Sequence, residues 1–255
     1  MLLTIDIGNT NVTLGVFDKE KLRNTWRMAT VVNKMPDEYA FFLLNAFNHK
    51  GLKPADINGM VMCSTVPPLV IIFTEMLQRY FNARPLVVGP GTRTGVRVRM
   101  DNPREVGPDR IANTVAAHHL YKGPTIVVDV GTATTFDIVT AEGDYIGGVI
   151  APGIALAAEA LFSRTAALPR IELVAPKKAI GPNTVSAMQA GIIFGYVGLI
   201  EGIIERIQRE MKEKATVVAT GGYAYIITPE TKVFDSINPD ITLIGLRLIY
   251  EMNQA

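Results

Sequence analysis

Two short phrases in this chain place an acidic residue, a glycine and hydroxyl side chains in the same order. TIDIGNTN runs from Thr4 to Asn11 and VVDVGTATTFD from Val127 to Asp137, so Asp6 and Asp129 stand 123 residues apart in a chain of 255. A glycine-containing turn between two strands lets backbone N–H groups face one point in space, where they can cradle a phosphate. Nearby Asn and Thr side chains add amide and hydroxyl donors. The carboxylates of Asp6 and Asp129 would repel a phosphate, so they suit a cation or cation-bound water lying between them and it. Two such loops gripping one nucleotide fit phosphoryl transfer, where positioning and charge neutralisation supply most of the catalysis. A single copy would pass as an ordinary Asp-Gly turn. The repetition carries the inference.

Each loop needs a strand on either side. Leu2–Asp6 and Val12–Phe17 read as strands around the first loop. A helical pattern over Tyr39–Asn48, a strand at Gly59–Cys63, a helix near Leu69–Phe81 and the strand PLVVG follow, and VRVRM reads as a further alternating strand. In the second half TIVVDVG and TATTFDIVTA read as strand, turn and strand, with EGDYIGG as a hairpin turn. PGIALAAEALF reads as a helix, and a long one begins near Asn183 or Thr184, either of which can cap it. ATVVATGG is a strand ending in Gly221 and Gly222, and TLIGLRLIYEMNQ a final helix. This alternation predicts an α/β fold. The long repeat predicts two domains, 1–118 and 119–255, with a boundary near Ala117–Gly123.

Composition narrows the function. The formal net charge is +1, which offers no argument for nucleic acid or an anionic membrane as partner. Cys63 is the only cysteine and lies in the apolar run MVMCSTV, so no intramolecular disulfide can form and a buried thiol is expected rather than a nucleophile. Asp6 interrupts the apolar start, unlike a secretion signal. The longest apolar windows, Ala187–Ile200 and Gly147–Leu161, are too short or too interrupted to read as membrane spans. The chain therefore reads as soluble and cytoplasmic. It contains no P-loop motif. GPGTRTG, Gly89–Gly95, imitates a dinucleotide fingerprint but runs into VRVRM rather than a helix, so it reads as a loop. His49, His118 and His119 lack the spacing of a transition-metal site.

The phrases DIGNTN, NPREVGPDRIANTVAAHH, VVDVGTATTFD, GGVIAPG and GPNTVSAMQAG occur in an order and spacing that resembles type III pantothenate kinase, over nearly the whole chain. That family belongs to the superfamily of acetate and sugar kinases, heat-shock chaperone ATPases and actin. The resemblance implies two ribonuclease-H-like domains in an actin-like ATPase fold, a homodimer, and transfer of the ATP γ-phosphate to the primary hydroxyl of pantothenate. The phrase would then be written twice because the fold is duplicated, with the nucleotide between the halves.

In NPREVGPDR, Gly107 and Pro108 can shape a turn that presents Asp109 and Arg110 at the start of a helix. An ionised carboxylate there can accept a hydroxyl proton, and the Arg110 fork suits a carboxylate or phosphate. Read from pattern alone, Asp109 is equally an ordinary helix N-terminal charge. The resemblance implies that Asp109 is the catalytic base and that Gly107, Pro108, Asp109, Arg110 and Thr184 bind pantothenate. It also implies that Asp6, Ile7, Gly8, Asn9, Thr10, Asn11, Val12, Thr13 and Thr132 contact ATP, and that Asp129 holds potassium or ammonium, with magnesium accompanying the ATP. Gly221 and Gly222 resemble the adenosine region, a strand-ending turn being the alternative. Many family members carry Tyr where this chain has Met100 at the pantothenate site; a thioether fills that space without a phenolic hydroxyl. The rival readings are a regulator resembling the Bvg accessory factor and a kinase of another small hydroxyl compound.

Overall fold

The computed structural model describes residues 1–254. The chain opens with an antiparallel meander of β1 (Leu2–Ile7), β2 (Asn11–Asp18) and β3 (Lys21–Ala29). It continues through α1 (Pro36–His49), β4 (Gly59–Ser64), α2 (Pro67–Phe81), β5 (Leu86–Val87) and α3 (Pro108–Tyr121). A second meander follows, made of β6 (Thr125–Val130), β7 (Ala133–Val139) and β8 (Tyr145–Pro152). The rest is α4 (Ile154–Ser163), α5 (Thr184–Met211), β9 (Thr216–Thr220), α6 (Ala224–Ile227), β10 (Ser236–Ile237) and α7 (Ile241–Met252).

The strand orders are β3-β2-β1-β4-β5 and β8-β7-β6-β9-β10. In each sheet the first three strands pair antiparallel and the last two join in parallel. Even the irregularity repeats. The register shifts between Val16 and Phe17 and between Ile138 and Val139, the sixth and seventh residues of β2 and of β7. The chain is thus a duplicated ribonuclease-H-like fold. β3 has no counterpart in the expectations from sequence. Its half-buried Leu22, Trp26 and Met28 alternate with exposed Arg23, Thr25 and Arg27, an edge-strand pattern diluted by polar residues.

Two compact units divide the chain. The first comprises Met1–Val96, Asp101–Ala116 and the stretch from Ile241 onward; the second comprises Arg97–Met100 and Ala117–Asp240. A single cut after residue 118 therefore does not describe them. In the first unit Leu246, Leu248 and Ile249 of α7 bury with Val61, Cys63, Ala112 and Val115, which draws the chain terminus back. Arg97–Met100 belongs to the second unit because it runs beside β8. Tyr145 N–H donates to the Arg97 carbonyl at 2.9 Å, and Arg99 N–H to the Tyr145 carbonyl at 2.8 Å. Both arginines also pair with buried Asp144. VRVRM thus contributes one bridge, Val98 to Tyr145, where a full strand was expected.

Strand parity decides what each sheet face carries. In the first unit Leu3, Ile5 and Ile7 of β1, with Met60 and Met62 of β4, pack beneath α1 and α2. Val61 and Cys63 point the other way, to α3 and α7. Those two helices cross closely, because a Cβ on Gly245 would stand 1.9 Å from the Ala112 carbonyl oxygen. In the second unit Ile126, Val128 and Val130 pack with Phe136, Ile138 and the apolar face of α5. Contrary to the window reading, α5 is by length and composition long and apolar enough to cross a membrane. The sequence windows stop at Glu201, whereas the helix runs through it. Its Ile193, Ile200 and Ile204 are buried in the second unit's core.

Candidate functional site

Asp6 lies one residue before the end of β1, in register with Thr13 on β2 and Cys63 on β4. Its neighbours Ile5 and Ile7 face α1 and α2, so Asp6 faces the side on which α3 begins. Cys63 Sγ donates to Asp6 Oδ1 at 3.2 Å. Burial, and then the charge of Asp109, push the Asp6 carboxyl from 3.8 to about 7, while the thiol bond opposes that rise. The thiol itself is pushed well above its ordinary value by burial and by the charges of Asp6 and Asp109. Cys63 is therefore a neutral donor and not a nucleophile, as its apolar surroundings suggested.

Beyond Ile7 the chain turns through Gly8, Asn9 and Thr10. Gly8 N–H donates to the Asn11 carbonyl at 3.0 Å, closing the turn on itself. Thr30 pins the turn from β3's end: its hydroxyl donates to the Gly8 carbonyl at 2.6 Å and its N–H to the Thr10 carbonyl at 2.9 Å. Asn9, Thr10 and Asn11 are exposed at the tip. Ile7 and Val12 bury their side chains in the core, so only their main chains can meet a nucleotide.

Asp109 arrives from the same unit. Pro108 occupies the first turn of α3, where its missing N–H costs nothing, and the Gly107 carbonyl accepts from Ile111 N–H at 3.1 Å. A Cβ at position 107 would stand 2.4 Å from Asp109 Oδ1, so the carboxylate can fold back only over a glycine. Burial raises the Asp109 pKa, while the backbone N–H groups of Arg110 and Asp109 and the Arg110 charge lower it. Asp109 Oδ1 is buried without a hydrogen-bond partner among the described residues. A dry acceptor with a raised pKa is suited to taking a proton from a hydroxyl.

The second loop is built on the same plan in the second unit. Asp129 lies one residue before the end of β6, in register with Thr135 and Thr220. Val128 and Val130 face α5, so Asp129 faces away from it. Gly131 N–H donates to the Ala133 carbonyl at 3.0 Å, leaving Thr132 exposed at the tip. A Cβ at Gly131 would stand 3.3 Å from Asp129 Oδ1, and one at Gly221 only 2.4 Å. Gly221 also has φ +95, in the left-handed region that a side chain disfavours. Tyr223 N–H ties that turn to the Val130 carbonyl at 3.0 Å. No group of three or more His, Cys, Asp or Glu able to hold a metal occurs among the described residues. A carboxylate is the hard oxygen donor that alkali and alkaline-earth cations take.

Met100 lies over β8: its sulfur is 3.7 Å from where a Cβ on Gly147 would stand. Asn183, not Thr184, caps α5, its side chain accepting from Ser186 N–H at 2.9 Å. Thr184 is exposed in the first turn. The expected site residues thus form two groups. Asp6, the 8–11 turn and Gly107–Arg110 gather in the first unit, whereas Asp129, Thr132, Met100 and Thr184 belong to the second. Sequence reading missed Thr30, which follows the unrecognised β3. It also missed Gly153, whose Cβ would lie 2.0 Å from the Thr132 carbonyl oxygen; the phrase GGVIAPG held the only signal for it.

A family profile described as type III pantothenate kinase matches residues 2–206. A curated protein of Dehalococcoides mccartyi named type III pantothenate kinase is 55% identical over 254 residues, covering 100% of this chain and 98% of that one. Among solved structures, a conserved Baf family protein from Campylobacter jejuni, described as a transcriptional activator, aligns with a TM-score of 0.61 at 20% identity over 99% of this chain and 98% of that one. An activator of 2-hydroxyisocaproyl-CoA dehydratase from Clostridium difficile, with bound ADPNP, aligns with a TM-score of 0.53 at 11% identity over 99% and 96%. At such identities the two structures speak for the fold alone.

Proposed function

The chain belongs to the type III pantothenate kinase family, and from that premise we propose that it transfers the γ-phosphate of ATP to the hydroxyl of pantothenate, yielding 4′-phosphopantothenate, the first step of coenzyme A biosynthesis. The observation that carries the mechanism is the buried, unpartnered Oδ1 of Asp109. As the hydroxyl oxygen bonds to the γ-phosphorus, that carboxylate takes the hydroxyl proton and the bond from phosphorus to ADP breaks. Arg110, next to it on α3, supplies a planar donor fork for the carboxylate end of pantothenate or for phosphate. Gly107, Pro108, Thr184 and Met100 complete the acceptor contacts, Met100 by packing rather than by a hydroxyl.

The turns at 8–11 and at Gly131–Thr132 hold the triphosphate through main-chain N–H groups and through Asn9, Thr10, Asn11, Thr13 and Thr132. Burial and then the Asp109 charge raise the cost of ionising Asp6, a cost that a magnesium ion arriving with ATP would offset. Asp129 would hold a monovalent cation, potassium or ammonium. Both cations would neutralise phosphate charge. Gly221 and Gly222 leave main chain open to the adenosine. We place the protein in the cytoplasm as a homodimer, with the exposed Gly191, Gly195 and Gly198 of α5 allowing close helix approach.

The test is ATP consumption with and without pantothenate, in potassium and in sodium buffer. Turnover that requires both pantothenate and potassium is the expected result. Folded protein without pantothenate-dependent turnover in either buffer would point to another acceptor or to a regulatory role. Light scattering reads the oligomeric state.

A further inference from the structure

We propose that Tyr196 is a positioning residue for the second phosphate loop, acting through Pro152 and Gly153; the inference rests on the reading of Gly131–Thr132 as an ATP-binding turn. Tyr196 sits on the face of α5 that packs against the second sheet and is 6% exposed. Its phenolic O–H donates to the Pro152 carbonyl. Pro152 ends β8 and lies in register with Ala133, the first residue after the loop. Gly153 follows in extended conformation and opens α4. A Cβ there would stand 2.0 Å from the Thr132 carbonyl oxygen and 2.6 Å from that of Gly131. The two loop carbonyls therefore rest directly on the main chain at 153, and one phenol on α5 holds that main chain from the other side.

Packing alone does not account for a tyrosine here. Phenylalanine would fill the same apolar space without bringing a hydroxyl that must find a partner once buried. Burial pushes the phenol pKa up, so it remains a neutral donor. The hydroxyl also meets the Thr134 side chain on β7, the strand that leaves the loop, so it ties Pro152 and, through Gly153, the height of the loop to the strand beside it. Small displacements of groups that align a reacting phosphate cost much of the rate. α5 thereby acts on ATP binding without touching the nucleotide.

The test compares Tyr196→Phe, Gly153→Ala and Thr132→Ala in steady-state kinetics on the full chain, with thermal unfolding in parallel. Losing one buried hydrogen bond predicts a rise in KM for ATP of roughly 3- to 10-fold in Tyr196→Phe, with KM for pantothenate unchanged. Gly153→Ala, which pushes the loop from the other side, should raise the same constant at least as much. Wild-type KM for ATP in a folded Tyr196→Phe, with only a lower Tm, would reduce Tyr196 to a structural role and overturn the proposal. If that variant does not fold, wild-type KM for ATP in Gly153→Ala overturns it equally. Thr132→Ala separates the two levels. A raised KM for ATP there, beside no change in Tyr196→Phe, sinks the positioning role and leaves the loop reading intact; no change in Thr132→Ala removes the loop reading and the proposal with it.

Discussion

The turn after β1 and the turn after β6 occupy the same place in the same topology, each one residue beyond an inward-facing Asp, yet different forces shape them. Asp6 pairs across its hairpin with Thr13 and Asp129 with Thr135, so the first turn is one residue longer. Around Asp6 the pressure is electrostatic. Burial and a second carboxylate, Asp109, hold its pKa near neutrality, at about 7, and the Cys63 thiol donates to it. Around Asp129 the pressure is steric, because Gly131 and Gly221 leave no room for a side chain beside its carboxylate. Duplication supplied two equivalent backbones. Divergence left one beside a second buried carboxylate and the other against two glycine main chains.

The largest expected effect probes the electrostatic side. Asp109→Asn keeps the shape and removes the proposed base, so turnover should fall by about 10²–10⁴-fold with the fold retained. Near-wild-type rates in that variant would show that the proton goes elsewhere. On the steric side, Gly221→Ala must place a methyl against Asp129 at positive φ, which should cost about 1–3 kcal/mol of stability as well as activity. An unaffected Tm would mean that the main chain beside Asp129 is softer than described.

Asp6→Asn separates the two pressures by sign. A carboxyl whose folded pKa lies near 7, above its ordinary 3.8, makes the folded state lose stability as pH rises through that interval. The variant should therefore unfold at higher temperature than the wild type at about pH 8, and the gain should shrink as pH falls and vanish below about pH 3, where the wild-type carboxyl is protonated in either state. A pH-independent difference would argue against buried charge as its source. Activity should be lost at the same time, a stability gained by giving up function. The smallest effect belongs to Gly8→Ala. Its Cβ would stand 3.1 Å from the Asn11 carbonyl, a contact that small shifts relieve, so a change of about 1 kcal/mol or less is expected. A larger loss would mean that the first turn is as sterically constrained as the second.

Much of this was legible in one dimension. β1, β2, β4, β6, β7 and β9 carry dense β-branched or apolar runs, and the two turns after β1 and β6 announce themselves through Asp, Gly and Thr. β3 was not legible, because its inward Leu22, Trp26 and Met28 are separated by charged and polar residues. β10 escapes for a plainer reason: it has only the two residues Ser236 and Ile237. Among the expected site residues, pattern left Asp109 open between a base and a helix-start charge, and the burial of its Oδ1 is a fact of tertiary structure that no local pattern carries.

The sequence alone determined the duplication, the α/β class and the identity of the acidic residues, since these depend on local pattern and on spacing along the chain. The tertiary structure decided which residues meet. Cys63 became a donor to Asp6 because the parallel pairing of β1 with β4 sets the two residues side by side. The final helix joined the first unit because its apolar face finds α3 and β4 there. The Asp6 pKa moved because burial and a charge more than a hundred positions away act through space. Burial and Coulomb energy depend on distance in three dimensions, and separation along the chain does not report it.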